Sequence, residues 1–305
     1  MIKILFLRNN KALYPEIDAY MDYFNKTPNF EAYDLTKINN EVDFDEYDVL
    51  WEMKGFGGVK SKNKIIVHDY ASLSVPPFAK LKNRLKTIIN PKPDLRIFLN
   101  ENVKSGFKFK DDIPYCLRDM GLDQEFIKNE EVKKEYKFVY VGSVGKERNI
   151  DKFLKNYNSE LLGKLCLIGP VENEIYQTYK GNKDITFVGK IPYKDVPMVA
   201  SKAEFGLNLI PDKYPYNLQT STKLIEYLAL GLKIVTTDYK WVREFETNHN
   251  CNFYKIDKDL FINHKKINEF HFQNNFKADD FLWDKVIEKS SLKKQLKNLY
   301  NNQLR

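Results

Sequence analysis

The feature that most constrains this chain is an alternation of short apolar runs with segments of helical spacing, clearest in its second half. The apolar runs are Phe138–Val141, Leu165–Ile168, Ile185–Val188, Phe205–Ile210 and Leu232–Thr236. Helical segments separate them at Asn149–Tyr157, Glu172–Tyr179, Lys194–Lys202 (interrupted by Pro197) and Thr222–Leu230. Short continuous apolar runs read as strands covered on both faces, and a helix between successive runs is the crossover that parallel pairing needs. The first half repeats the pattern with Ile2–Leu7, Asp48–Met53, Lys64–Val67 and Leu95–Leu99 as strands. Between the last two, Phe78, Leu81, Leu85 and Ile88 share one helix face. Two doubly wound α/β domains follow, over 1–130 and 131–284, joined at the charged stretch Lys128–Glu135. A long terminal helix is expected over Asp279–Tyr300, with 285–305 able to return to the first domain. The crevice between two such domains is the default place for a ligand.

Composition narrows the function classes. With 43% hydrophobic and 30% charged residues among 305, the chain has the material for packed cores and is not a disordered polymer. No apolar run nears the ~18 residues a bilayer span needs, and the apolar start Ile2–Leu7 lacks the small residues of a cleavage site. A cytoplasmic chain is therefore expected. The three cysteines are far apart and the four histidines form no HExxH pattern, which argues against a disulfide framework or a protein-held transition metal. The net charge is +7, yet only 7 of the 49 basic residues are Arg. Nucleic-acid readers favour Arg for bidentate and stacking contacts. A Lys-dominated excess suits a phosphorylated ligand, an anionic membrane face or a solvated surface, and no nucleic-acid partner is expected.

Two segments carry charge and polar groups where an anion would bind. In Asn217–Asp238, the run Gln219-Thr220-Ser221-Thr222 supplies the short side chains that cap a helix, Gly231 stops that helix, and a strand follows. Lys223 and Glu226 fall together away from the apolar stripe of Leu224, Ile225, Leu228 and Ala229. A helix N-terminus at the carboxyl edge of a sheet is a phosphate site by geometry, and Lys223 adds charge beside it. The plain alternative is a solvated Lys–Glu pair on an ordinary amphipathic helix. The second segment, Tyr140–Asp151, ends a strand at Gly142 and turns through Ser143 and Gly145, then brings Lys146 and Arg148 into a helix. It matches neither the Walker A loop nor GxGxxG, but two glycines and two cations at a strand-to-helix turn suit an anionic ligand.

In order, FVYVGSVGKERNID, LCLIGP, ITFVGKIPYKDVPMVASKAEFGLNLIP and STKLIEYLALGLKIVTTD resemble the donor-binding domain of GT-B glycosyltransferases, specifically the retaining glycosyltransferase family 4. The resemblance covers Tyr136–Glu246 and lies in the order and spacing of elements. It implies two Rossmann-like domains facing a cleft and transfer of a sugar from a nucleoside diphosphate, expected to be UDP, without a metal or other cofactor. The acceptor it implies is a glycan or a lipid-linked saccharide, as in capsule or lipopolysaccharide synthesis at a bacterial surface. The family's cation directly after the first-strand Gly falls on Ser143, and its second cation on Arg148, with Lys146 a possible substitute for the first. Of the family's two Glu, the second matches Glu226, implied to hold the ribose, while the first falls on Leu218, which leaves retention or inversion open. Gly142, Gly169, Asn217, Thr220, Ser221 and Thr222 are implied to line the donor, and Lys190 and Ile191 to hold the base through backbone atoms. Arg148 and Lys223 would stabilise the leaving diphosphate. In the first half, Ile65–Tyr70 is similar to a family strand ending in a His near the acceptor, which nominates His68 and Asp69 for the chemistry. Cys116–Asp123 resembles the stretch that closes that domain.

Three further features complete the reading. Phe78–Pro93 is amphipathic and basic, with Lys80, Lys82, Arg84, Lys86 and Lys92 and no acid. It could rest peripherally on an anionic inner membrane face, or it could be a helix packed on its own sheet with solvated charges. The glycine-rich stretch Gly55–Gly58 could approach a ligand or be a plain turn. Asp43-Phe44-Asp45 spells a DxD metal motif but precedes a strand instead of following one, which marks a surface loop. Two other functions remain open on the same fold: a non-catalytic nucleotide- or glycan-binding subunit, and a nucleotide-sugar epimerase or hydrolase.

Overall fold

The computed structural model describes residues 1–8, 14–39, 41–127 and 132–303. The expected linker lies partly outside them, at 128–131. The chain divides into two compact units. The first comprises Met1–Gly121, Leu218–Thr220 and Asp280–Arg305; the second comprises Leu122–Asn217 and Ser221–Asp279.

The first unit is ordered β1 (Ile2–Leu7), α1 (Pro15–Lys26), β2 (Phe30–Asp34), β3 (Val49–Met53), β4 (Ile65–Tyr70), α2 (Ala79–Ile89), β5 (Leu95–Phe98), α3 (Glu101–Phe107) and β6 (Tyr115–Leu117). Its strands pair in parallel in the order β2-β1-β3-β4-β5-β6. Trp51 is fully buried at the centre, against Phe6, Tyr20 and Phe24. Strand β4 runs on through His68, Asp69 and Tyr70, past the expected end at Val67, and all six residues are buried. Polar residues extend an interior strand only where partners meet them. Asp69 meets Arg118 and Tyr20, and His68 stands opposite Glu52 in the register of β3.

The second unit is ordered β7 (Tyr136–Val141), α4 (Ile150–Asn156), α5 (Ser159–Leu162), β8 (Leu165–Ile168), α6 (Asn173–Tyr179), β9 (Ile185–Gly189), α7 (Val196–Ala200), β10 (Ala203–Asn208), α8 (Thr222–Ala229), β11 (Lys233–Thr237), α9 (Lys240–His249), β12 (Tyr254–Ile256) and α10 (His264–Glu269). Its parallel order is β12-β11-β10-β7-β8-β9. The winding direction reverses between β7 and β10, and the carboxyl ends of those two strands are where such sheets take ligands.

Two expectations are corrected. The single terminal helix is broken into α11 (Trp283–Lys289) and α12 (Leu292–Gln303), because Ser291 takes a left-handed conformation at φ 62°. Ile287, Leu292 and Leu296 pack into the core of the first unit. The apolar stripe of α2 does not face its sheet either. Ala79, Asn83 and Lys86 are the buried positions, with Asn83 accepting a hydrogen bond from the Ser74 amide at 2.9 Å, while Phe78, Leu81, Leu85 and Ile88 point outward.

Candidate functional site

Strands β7, β8 and β9 run into glycines at their carboxyl ends, Gly142, Gly169 and Gly189, with φ of 148°, 136° and 76°. The first two are in close backbone contact: a Cβ on Gly169 would lie 2.1 Å from the Gly142 carbonyl oxygen. A side chain at 169 is therefore excluded, and the positive φ at all three positions favours glycine, which leaves backbone exposed along this edge. Beyond Gly142 the chain turns through Ser143, whose carbonyl accepts from the Tyr140 hydroxyl at 3.2 Å. It then enters a single 3-10 turn, Lys146–Arg148, before α4.

The two cations of that turn part company. Lys146 is exposed and its Nζ pairs with Glu174 at 2.6 Å, directed to the surface in this structure. Arg148 is half-buried, and its guanidinium lies 5.5 Å from the ring of Tyr216, in the short turn Tyr216–Leu218 ahead of α8. No carboxylate pairs with Arg148 among the described residues. Its charge also acts on Tyr140: burial pushes that phenol up to about 12, against the pull of Arg148.

The start of α8 is held by a buried polar network. Ser221 caps the helix by accepting from the Leu224 amide at 3.4 Å, and its hydroxyl donates to Asn208 Oδ1 at 2.7 Å. Asn208 in turn donates to Thr236 Oγ1 at 3.0 Å and to the Tyr239 hydroxyl at 2.9 Å. The N-terminus of α8 is thus pinned to the ends of β10 and β11, with its first N–H groups directed outward. Alanine at Ser221 removes the cap and leaves Asn208 Oδ1 without its donor. The expected loss is about 1–2 kcal/mol of stability, read from urea unfolding. Tyr227 ties the same helix to β7: its ring lies over Gly206, where a Cβ would come within 2.4 Å, and its hydroxyl accepts from the Val141 amide at 2.8 Å.

Glu226 is not solvated as its helical position suggested. It is 1% exposed. Its Oε1 accepts from the Tyr193 hydroxyl at 2.7 Å and its Oε2 from Lys223 Nζ at 3.1 Å. Tyr193 follows the turn Gly189-Lys190-Ile191, in which Lys190 is exposed and Ile191 half-buried. Its ring packs at a tilt against Phe126, 5.3 Å between centroids. Ahead of α8, Asn217 donates to Asp212 at 2.8 Å, but its Oδ1 has no hydrogen-bond partner among the described residues. Leu218 and Thr220 group with the first unit, where Asn100 Nδ2 donates to the Leu218 carbonyl at 3.3 Å and to Thr220 Oγ1 at 3.2 Å. Thr222, the first residue of α8, is half-buried.

Of the nominated residues, the second unit brings together Gly142, Ser143, Arg148, Gly169, Ser221, Thr222, Lys223 and Glu226 along the carboxyl edge of its sheet. Sequence reasoning missed Tyr193, Asn208 and Tyr227. The first is 33 positions from its partner and carries no local signal, while Tyr227 stands beside Glu226 in the motif and was readable there.

In the first unit, His68 is fully buried. Its Nε2 lies 3.1 Å from Glu52 Oε2, in poor alignment for a hydrogen bond. Burial holds His68 below the usual imidazole range, helped by Lys54 and opposed by Glu52. Burial would raise Glu52, but His68 and Lys54 outweigh it and hold the carboxyl low. Asp69 is fully committed: both oxygens lie within 3.4 Å of Arg118, and Oδ2 also accepts from the Tyr20 hydroxyl at 3.0 Å. The Gly55–Gly57 loop is tied to Asn90 by bonds of 3.0 Å at each end. Asp43 only caps its own 3-10 turn through the Asp45 amide, at 2.8 Å.

No protein-family model and no curated protein matches the sequence. Solved structures do match, over nearly the whole chain. AviGT4, a glycosyltransferase involved in avilamycin A biosynthesis, superposes with a TM-score of 0.64 at 14% identity, covering 98% of each chain. Anabaena Alr3699/HepE in complex with UDP gives 0.61 at 12% identity, covering 100% of this chain and 98% of that one. A putative UDP-N-acetylglucosamine 2-epimerase from Listeria monocytogenes gives 0.54 at 11% identity, covering 95% and 91%. The chain has the GT-B fold, two Rossmann-like domains each built on a six-stranded parallel sheet.

Proposed function

We propose that this protein is a glycosyltransferase that takes a sugar from UDP and delivers it to a glycan or lipid-linked acceptor, with retention as the outcome the family resemblance implies. One observation carries the reading. Arg148, the capped start of α8 and the Lys223–Glu226 pair rise from the carboxyl ends of β7 and β10, where the sheet of the second unit reverses its winding. Solved structures of the same fold, HepE among them, hold UDP.

The chemistry follows from charge. Breaking the bond between sugar and diphosphate leaves an additional negative charge on the departing oxygen. Arg148, Lys223 and the N–H groups at Thr222 and Lys223 are fixed groups that meet that charge as it develops, and fixed groups cost no reorganisation during the reaction. The edge formed by Gly142 and Gly169 lets the pyrophosphate approach backbone. Glu226 takes the ribose by exchanging the Tyr193 hydroxyl for a ribose hydroxyl. Asp69 drops out of the chemistry, since Arg118 and Tyr20 occupy it, and buried His68 supports the loop after β3 through Glu52, which also accepts from the Val59 amide at 3.2 Å. Lys146 stays with Glu174 at the surface.

A thermal-shift screen across nucleotides and UDP-sugars tests the donor, and UDP release in the presence of candidate acceptors tests transfer. UDP is expected to raise the melting temperature. Glu226→Gln is expected to weaken UDP binding about 10-fold, the worth of one hydrogen bond to a charged group (~1.5 kcal/mol). Unchanged affinity in a variant that still melts normally refutes the ribose role. A UDP-sugar that is bound but only epimerised or hydrolysed, whatever acceptor is offered, refutes transfer. Binding with no turnover at all points to the non-catalytic subunit.

A further inference from the structure

We propose that the surface built on α2 rests on an anionic lipid bilayer. Placed at about 100° per residue, the buried positions Ala79, Asn83 and Lys86 span one arc of the helix, while Leu81, Leu85, Ile88, Ile89 and the preceding Phe78 span another of about 100°. The second arc points into solvent: Phe78 is 76% exposed, Ile88 71%, Ile89 57% and Leu81 55%. Lys82 and Arg84 fall on either side of it. The apolar surface extends beyond the helix. Val75 is exposed ahead of it, and Asn90 ties the Gly55–Gly57 loop to its C-terminal end, placing exposed Phe56 within 5.5 Å of Lys86 Nζ.

Charge names the occupant. From Ala71 to Pro93 the chain carries Lys80, Lys82, Arg84, Lys86 and Lys92 and no Asp or Glu, and the adjoining loop adds Lys60 and Lys62. An apolar stripe edged by cations is the pattern of a helix lying in the headgroup region, its aromatic and aliphatic side chains among the acyl chains and its basic groups on lipid phosphates. An 11-residue helix is too short to cross a bilayer, so it lies in the plane. A second copy of the same surface is a poor occupant, because symmetric pairing would set one basic edge against another. This surface needs neither donor nor turnover, so it stands or fails separately from the proposed sugar transfer.

The test is co-sedimentation of the full chain with phosphatidylcholine vesicles, with and without phosphatidylglycerol. The wild type is expected to bind the anionic vesicles, to bind neutral ones weakly, and to lose affinity as salt rises. The double variant Phe78→Ser/Ile88→Ser changes only exposed side chains, so it keeps the wild-type melting temperature, and it is expected to bind at least ~10-fold less. Three results overturn the proposal: no wild-type binding to anionic vesicles at low salt, equal binding by the double variant, or a wild-type dimer in sedimentation equilibrium that the double variant lacks.

Discussion

Replacing Arg148 with alanine is expected to lower turnover of a UDP-sugar at least ~100-fold, the usual cost of removing one fixed group that stabilises developing charge. The loss should appear in kcat and kcat/KM together, because the guanidinium matters most once the departing diphosphate gains its extra charge. Arg148 has no carboxylate partner among the described residues; the Tyr216 ring lies 5.5 Å from its guanidinium and Tyr140 feels its charge, so no ion pair competes with a ligand for it. Lys146, two positions earlier, is paired with Glu174 at 2.6 Å, and Lys213, whose Nζ lies 5.9 Å from the same Tyr216 ring, lacks the guanidinium fork. Lysine at 148 keeps the charge without the bidentate fork and should recover part of the rate. Steady-state release of UDP measures all three proteins. A rate for Arg148→Ala within about threefold of wild type would remove Arg148 from the mechanism.

The legible parts of this molecule were those written in local patterns. The strands of the second unit could be read because strands buried on both faces must be apolar throughout. Their ends were less readable. The run Phe205–Ile210 predicted a strand, but pairing occupies Ala203–Asn208, since hydrophobicity at Leu209 and Ile210 continues past the last ladder residue. Three of the four outermost strands, β2, β6 and β12, were missed: they are short and carry polar or exposed residues such as Glu31, Tyr115 and Lys255, whereas the fourth, β9, was readable from its apolar run. Periodicity also cannot say which way a stripe points. On α8 the apolar stripe faces the core, whereas on α2 the anchoring side chain is Asn83 and the stripe faces water. At the site, Ser221, Lys223 and Glu226 could be placed by helical spacing. The Tyr193 contact that closes over Glu226 could not, because it depends on how a distant turn folds back.

The second large effect belongs to stability. Arg118→Leu is expected to destabilise the first unit by about 3–5 kcal/mol, because it leaves buried carboxylates without their cation. Arg118 is fully buried. Its Nε donates to the Tyr20 hydroxyl at 2.7 Å, its Nη2 lies 3.2 Å from Asp69 and 3.8 Å from Glu16, and its guanidinium sits 5.9 Å from the ring of Trp283. Burial alone would favour losing its proton, but Tyr20, Asp69 and Glu16 together hold it charged. Burial raises the Glu16 carboxyl against the pull of Arg118, so removing the guanidinium pushes it further toward the neutral acid. Gly121 completes the arrangement, since a Cβ there would come within 2.4 Å of Trp283 and displace the C-terminal helices that cover the network. Urea unfolding followed by Trp fluorescence measures the loss. Adding Asp69→Asn to Arg118→Leu removes the stranded charge and should restore part of it. UDP affinity, which the proposed function assigns to the second unit, should stay at the wild-type value in any variant that remains folded. A loss below about 1 kcal/mol would mean that the carboxylates are solvated or protonated at little cost, and that Arg118 does not hold β4 in the core.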